Sequence, residues 1–244
     1  MPHLYVNDIT FAYPDGHKAI DGLSFAIEPG ESVGLVGANG AGKSTLLLLL
    51  LGILLPQSGH VEVLGQKLDK RTVKTLRQRM GLVFQDSDDQ LFCATVGEDV
   101  AFGPCNAGLD ATAVEAAVSS ALDVTGITAL RERAPYKLSG GEKRLAAIAS
   151  VLSMNPSVLI MDEPSSSLDP RARRNLIGLL RRLPQTKLVT SHDLDLVWDT
   201  CSRVLVLQEG KIVADGPAKV VLSDEDLMQA AGLELPLRLQ SVES

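Results

Sequence analysis

The octapeptide GANGAGKS at 37–44 constrains this chain more than any other stretch. It fits G-x-x-x-x-G-K-[ST] at every fixed position. An apolar run, ESVGLVG at 31–37, precedes it, and STLLLLLLGILL follows at 44–55. Strand, glycine loop and helix in that order have a chemical purpose. Glycines let the backbone curl until consecutive N–H groups point inward at phosphate oxygens. Lys43 adds a point charge near the β and γ phosphates, and Ser44 offers a hydroxyl to Mg²⁺. The positive dipole end of the following helix faces the same anion. A glycine-rich turn that matches by chance is the bland alternative, and the strand-loop-helix context speaks against it.

The leucine run raises a second question, whether this segment is a membrane anchor. The longest apolar stretch covers 46–55 and is broken by Gly52. A bilayer span needs about 20 residues, so the run is expected to be a buried helix, and a membrane role has to come through a partner. The N-terminus MPHLYVNDITFAYPDG lacks a basic stretch followed by an apolar core, so no signal peptide is expected. Net charge is −7, which argues against nucleic acid as a partner. The basic cluster RARRNLIGLLRR at 171–182 has helical spacing and is expected to be a solvated helix face. Cys93, Cys105 and Cys201 form no close pair, which fits a reducing cytosol better than a disulfide framework. His3, His17, His60 and His192 adjoin no cysteine and give no zinc-type spacing.

Alternation of apolar and polar residues at 4–13 and 18–28, with PDG at 14–16 between them, predicts an antiparallel hairpin. Further strands are expected at 31–37, 60–65, 80–85, 157–164 and 187–193. Helices are expected at 43–55, stopped by Pro56 and buried on all sides, at 110–126 between Asp110 and Gly126, at 139–156, and over RARRNLIGLLRRL at 171–183. A hairpin turning at Glu209 and Gly210 is expected over 203–216, followed from Leu222 by an acidic, weakly helical tail. Alternating strands and helices imply an α/β fold whose sheet is mainly parallel. Between about 86 and 134 the strand signals fade, so the block 86–156 is expected to be an inserted helical subdomain.

VLIMDEP at 158–164 sharpens the chemistry. Four apolar residues lead to Asp162 and Glu163 at the carboxyl end of a strand, where open α/β sheets bind ligands. Asp162 is suited to hold Mg²⁺ through water, and Glu163 to polarise an attacking water. An acidic pair at a strand end is common alone. With the phosphate loop it points to an ATP or GTP hydrolase, whose parts mostly position reactants and stabilise charge.

KLSGGEKRLAAIAS at 137–150 carries a resemblance that covers nearly the whole chain. The sequence resembles the nucleotide-binding subunits of ABC transporters, with motifs in the family's order. Leu138 to Glu142 are similar to the signature LSGGE, Gln85 to the Q-loop glutamine, SSSLD at 165–169 with Asp169 to the D-loop, and His192 to the switch histidine. Tyr13 is similar to the aromatic that stacks on adenine. The resemblance implies a single P-loop NTPase domain over 1–244. Within it, 1–85 and 157–244 would form the nucleotide-binding core, with an N-terminal antiparallel β-subdomain, and 86–156 the helical signature subdomain. It implies ATP and Mg²⁺ as cofactors. Gly37, Asn39, Gly40, Ala41, Gly42, Lys43, Ser44 and Thr45 would hold nucleotide on one side, with Ser139, Gly140, Gly141 and Asp169 on the other. Ser44, Gln85 and Asp162 would hold the metal, and Glu163, His192, Gln85 and Lys43 would serve catalysis.

A signature that opens a helix with a serine and two N–H groups is a second anion site. The resemblance implies two subunits packed head to tail, each signature closing on the other's ATP, so a second identical or paralogous subunit is expected.

A narrower resemblance lies in VFQDSDDQLFCATVGEDVAFGP at 83–104, which is similar to the ATPases of energy-coupling-factor importers for vitamins or for cobalt and nickel ions. It implies a peripheral place on the cytoplasmic face of the membrane. It also implies a groove for a transmembrane coupling protein, with Asp86, Asp88 and Asp89 meeting arginines and Leu91, Phe92, Val100 and Phe102 as its apolar floor. A substrate-binding membrane subunit would contact the cargo, which the ATPase itself would not touch. AAGLELPLRL at 230–239 is similar to tails of the cobalt/nickel branch. A non-transport ABC protein and a small P-loop kinase are the competing classes. The first usually carries long inserts or two cassettes, and the second has no use for LSGGE.

Overall fold

A computed structural model describes residues 1–240. It divides into two compact units, one from Met1–Arg77 together with the chain from Pro184 onward, the other Gln78–Leu183.

The first unit opens with β1 (Leu4–Ala12) and β2 (Lys18–Ile27), paired antiparallel as the alternation predicts. Then come β3 (Ser32–Val36), α1 (Lys43–Leu50), β4 (Ser58–Val63), β5 (Gln66–Lys67) and the short α2 (Val73–Arg77). β4 pairs with β1 on the side away from β2, and β5 closes the small antiparallel sheet. The second unit follows with β6 (Met80–Val83), α3 (Val96–Asn106), α4 (Ala111–Thr125), α5 (Gly140–Leu152), β7 (Val158–Asp162) and α6 (Pro170–Arg182). The chain then returns to the first unit as β8 (Thr186–Thr190), α7 (Leu194–Thr200), β9 (Arg203–Gln208), β10 (Lys211–Pro217), α8 (Ala218–Val221) and α9 (Glu225–Ala230).

In the first unit β3 lies parallel between β8 and β9, with β10 added antiparallel at the edge. All five residues of β8 are buried, as are Val33, Leu35 and Val36 of β3. Strands buried on both faces suit an α/β architecture. The β9–β10 turn places both Glu209 (φ 47°) and Gly210 (φ 77°) at positive φ, the pattern of a type I′ hairpin. In the second unit β6 and β7 pair in parallel, and α3, α4 and α5 pack around Val96, Val100, Leu122 and Ala146.

Two helices depart from expectation. α1 stops at Leu50 rather than running to residue 55. Gly52 (φ 64°) ends it: its N–H donates to Leu49 O at 3.0 Å and Ile53 N–H to Leu48 O at 2.9 Å. This is the paired closure of a Schellman motif, which glycine makes without strain. Burial on all sides fails past that point, since Ile53 is 56% and Leu55 40% exposed. α3 is the helix that apolar periodicity misses. Its signal is T-V-G-E at 95–98, a capping box in which Thr95 and Glu98 satisfy each other's N–H groups. α4 has Asp110 as N-cap and Gly126 at positive φ after its last turn, as expected. α5 ends at Leu152, before the expected 156, through a turn with Asn155 at φ 48°. α8 precedes the tail expected from Leu222; the tail holds α9 and a 3₁₀ turn at Leu237–Leu239, and its last four residues lie outside the described ones.

Candidate functional site

The phosphate loop belongs to the first unit. β3 ends at Val36, and the chain turns at once through Gly37. A Cβ on Gly37 would sit 2.3 Å from Leu207 O, so only glycine fits between loop and β9. Gly40 (φ 81°) and Gly42 (φ 108°) occupy backbone regions that side chains rarely adopt, and a Cβ on Gly42 would meet Ala19 O at 2.5 Å. Lys43 Nζ folds back into this curl, donating to Gly37 O at 2.6 Å and Ala38 O at 3.1 Å.

α1 starts at Lys43 with Gly42 as N-cap, no side-chain cap and no acidic residue in its first turn. α3, α4, α5 and α6 all carry a side-chain cap from Thr95, Asp110, Ser139 or Asp169. A helix start with no side-chain cap and no acid in its first turn, carrying a lysine at its first residue, fits a phosphate. Ser44 is exposed at this end. Thr45 is buried, and its hydroxyl lies 3.1 Å from Tyr13 Oη. Tyr13 is half-buried and packs edge-on against Phe11 at 5.1 Å. Asn39 and Gly40 are exposed at the loop tip, and Ala41 is buried. His192 is exposed, between β8 and the N-cap of α7, Asp193.

The second unit carries the acidic pair and the signature. Asp162 ends β7 and is half-buried. Glu163 follows at φ 45°, in the left-handed region where a non-glycine residue stores strain of about 1–3 kcal/mol. Gln85 is exposed just beyond β6. Taken one by one, the Ser44 hydroxyl of the first unit and the Gln85 amide and Asp162 carboxylate of the second are oxygen donors of the kind that Mg²⁺ takes. Among the described residues no group of three His, Cys, Asp or Glu side chains is arranged for a metal. Mg²⁺ keeps several waters and needs only one or two carboxylates beside substrate phosphates, so the donor set suits it.

The signature is not an open anion site. Ser139 caps α5, and Glu142 closes the box: its Oε2 accepts Ser139 N–H and Ser139 Oγ–H, each at 2.8 Å. These bonds, the backbone one first, hold the Glu142 carboxyl below its ordinary range. The two glycines differ. A Cβ on Gly140 would have 3.8 Å to Ser167 O, whereas one on Gly141 would meet Ala172 Cβ at 2.6 Å. Gly141 is thus needed for α5 to approach α6. Asp169 caps α6, its Oδ1 accepting from Arg171 N and Ala172 N at 2.8 Å each. The structure gives it that local task, which spacing alone does not reveal.

A cavity of about 680 Å³ lies within the second unit, lined by Gln85, Asp86, Asp88, Asp89, Gly140 and Arg144 among others. The expected apolar floor needs correction. Leu91 and Val100 are buried in the helical core beside Val96 and Leu122, so they face no partner. Phe92 (63% exposed) and Phe102 (46%) do present a surface, edge-to-face at 4.9 Å, and Phe84 is a third exposed aromatic that patterning overlooks. Asp88 pairs with Lys143 at 2.6 Å. Burial, then a hydrogen bond with Asp99, pushes the Cys93 thiol up to about 11, which keeps it protonated. Cys105 is exposed and Cys201 buried.

Fold and phosphate loop together define a P-loop NTPase. The family model described as "ABC transporter" matches residues 20–166. A putative ABC transporter ATP-binding protein of Geobacter sulfurreducens is 51% identical over 235 residues, covering 96% of this chain and 94% of its own. An energy-coupling factor transporter ATP-binding protein of Carboxydothermus hydrogenoformans is 42% identical, covering 98% and 89%. A structure of cbiO1 from Clostridium perfringens, described as part of the ABC transporter complex cbiONQ, superposes with a TM-score of 0.86 at 37% identity over 94% of both chains. This chain belongs to the ABC transporter ATP-binding family and is an ATP-hydrolysing motor subunit. Within the family it is similar to the energy-coupling-factor ATPases. No described helix is long and apolar enough to cross a membrane.

Proposed function

We propose that this chain powers an energy-coupling-factor type importer from the cytoplasmic face of the membrane, as a peripheral subunit. The observation that carries the proposal is that one chain holds both a lysine-bearing helix start with no side-chain cap and a serine-led signature helix. Two nucleotide-binding chains, identical or paralogous, would clasp two ATP molecules, each phosphate loop answered by the partner's signature. In the division we propose, 1–85 and 157–244 form the nucleotide-binding core and 86–156 the signature subdomain.

Tyr13 stacks on adenine, and residues 37–45 hold the phosphates, with Lys43 as the point charge. Ser44, Gln85 and Asp162 would hold Mg²⁺, which when bound neutralises charge on the β and γ phosphates. Glu163 orients and deprotonates the attacking water, and His192 contacts the γ-phosphate. Ser139, Gly140, Gly141 and Asp169 serve the partner's nucleotide. Gln85 leads to the exposed Phe84, Phe92 and Phe102, where a transmembrane coupling protein would dock. A separate membrane subunit would bind the cargo, which never touches this chain. Cobalt or nickel ions are the cargo we favour, on the likeness of 230–239 to that branch; a vitamin is the alternative.

Glu163→Gln tests the motor. General-base catalysis is worth about 10²–10⁴-fold, so turnover should fall at least about a hundredfold. ATP binding should survive, and an ATP-dependent dimer should accumulate on a sizing column. Wild-type turnover in the purified variant would overturn the assignment.

A further inference from the structure

We infer that Arg144 is a positioning residue that makes the loop at 84–90 and the signature helix α5 move as one piece, so that the placement of Ser139 follows the Q-loop. The inference rests on the proposed role of the signature as half of an ATP site.

Arg144 is only 3% exposed, yet it carries a guanidinium. Its Nη1 donates to Phe84 O and its Nη2 to Gln85 O, both at 2.6 Å. These carbonyls lie just past the end of β6. Among the described residues its hydrogen-bond partners are two carbonyls, and the Asp86 carboxylate acts on it through space without a hydrogen bond. A buried cation bonded this way costs more than a methionine filling the same space. Packing therefore does not call for arginine here. What arginine supplies is a planar fork that fixes two consecutive peptide groups at once, which a lysine cannot do.

Two further fastenings join the same pieces. Gln90 Oε1 accepts from Phe84 N at 3.1 Å, while its Nε2 donates to Ala147 O at 2.7 Å and Ser150 Oγ at 3.0 Å. Lys143 Nζ bonds Asp88 Oδ1 at 2.6 Å. Lys143, Arg144, Ala147 and Ser150 fall on one face of α5. Ser139 caps the same helix five residues before Arg144, about 7 Å along the axis. A displacement of Phe84 or Gln85 is thus delivered to the serine tip through a rigid rod.

The test is a double-mutant cycle on the purified full chain, with Arg144→Met, Arg144→Lys, Ser139→Ala and Arg144→Met/Ser139→Ala. Steady-state ATP hydrolysis and binding of a fluorescent ATP analogue are measured for each. Arg144→Met and Arg144→Lys should each lower kcat/KM by about tenfold, with analogue binding unchanged within about twofold. In the Ser139→Ala background, Arg144→Met should add less than about twofold, because its effect runs through the serine. Losses that multiply in the double variant, or Arg144→Met turnover equal to wild type, would overturn the inference while leaving the motor assignment intact. Ser139→Ala turnover equal to wild type would instead strike the proposed role of the signature. Should Arg144→Met lose its cooperative thermal transition, Gln90→Leu replaces it in the same cycle, with the same non-additivity expected and multiplicative losses again overturning the inference.

Discussion

The two helix starts that we propose serve phosphate are built differently. α1 begins at a glycine with no side-chain cap and no acid in its first turn. α5 begins at Ser139 with its hydroxyl and N–H both held by Glu142. The first end has its positive dipole uncompensated by any side chain of its own first turn. The second brings its own anion and completes its hydrogen bonding locally. On the proposed reading a phosphate would find a standing site at α1, while at α5 it would have to displace a carboxylate. The cradle would then bind ATP alone, and the signature would respond only once a second, stronger anion arrives.

The contrast is broken most severely at the cradle. Gly42→Ala combines a φ of 108° with a Cβ 2.5 Å from Ala19 O. Strain of about 1–3 kcal/mol is expected at such a position, and the loop has to reshape to relieve it. ATP affinity should fall by about a hundredfold or more in a nucleotide titration, and unchanged affinity would mean that the loop does not need this curl.

Next in size is the pair of signature glycines. Gly141→Ala forces a Cβ to within 2.6 Å of Ala172 Cβ, whereas Gly140→Ala makes only an ordinary van der Waals contact with Ser167 O at 3.8 Å. Overpacking costs about 1–3 kcal/mol, so Gly141→Ala should lower Tm by several degrees while Gly140→Ala leaves it nearly unchanged. Ala172→Gly should restore the loss, since it removes the opposing methyl.

Glu142→Gln sharpens the comparison more gently. Glutamine still completes a capping box but removes the charge. The ATP-dependent dimer should then form at a nucleotide concentration lower by about two- to fivefold, a helix-terminus charge being worth about 0.3–1 kcal/mol. A dimer that needs more ATP would show that the carboxylate assists the signature.

The smallest effect is in pH. The Glu142 carboxyl is held below its ordinary value, so its capping contribution is fully present above about pH 4.5 and is lost as pH falls through the lowered pKa. Thermal melts of wild type against Glu142→Gln should converge on acidification below that point, and parallel curves would remove the charged cap from the account.

How far the sequence carried depended on how local the physics was. The β1–β2 hairpin, the Glu209–Gly210 turn and the Asp110 and Gly126 helix limits follow from alternation and backbone preference within a few residues. α3 was overlooked for the opposite reason. Its apolar pattern is weak, and the capping box that starts it is a polar signal. The proposed coupling surface was half legible. Phe92 and Phe102 face outward, but Leu91 and Val100 fill the core, because α3 to α5 compete for the same apolar residues.

The sequence by itself determined the phosphate cradle and the family. A curl of N–H groups needs glycines at fixed spacing, and those glycines and Lys43 act on their own backbone. Tertiary structure alone decided the rest of the site's anatomy. It decided that Gly141 is demanded by Ala172 and that Gly37 is demanded by Leu207 O. It also decided that Arg144 is buried against carbonyls some sixty residues away. Close approach between distant segments is a property of packing, and no local pattern of residue types encodes which neighbour will arrive.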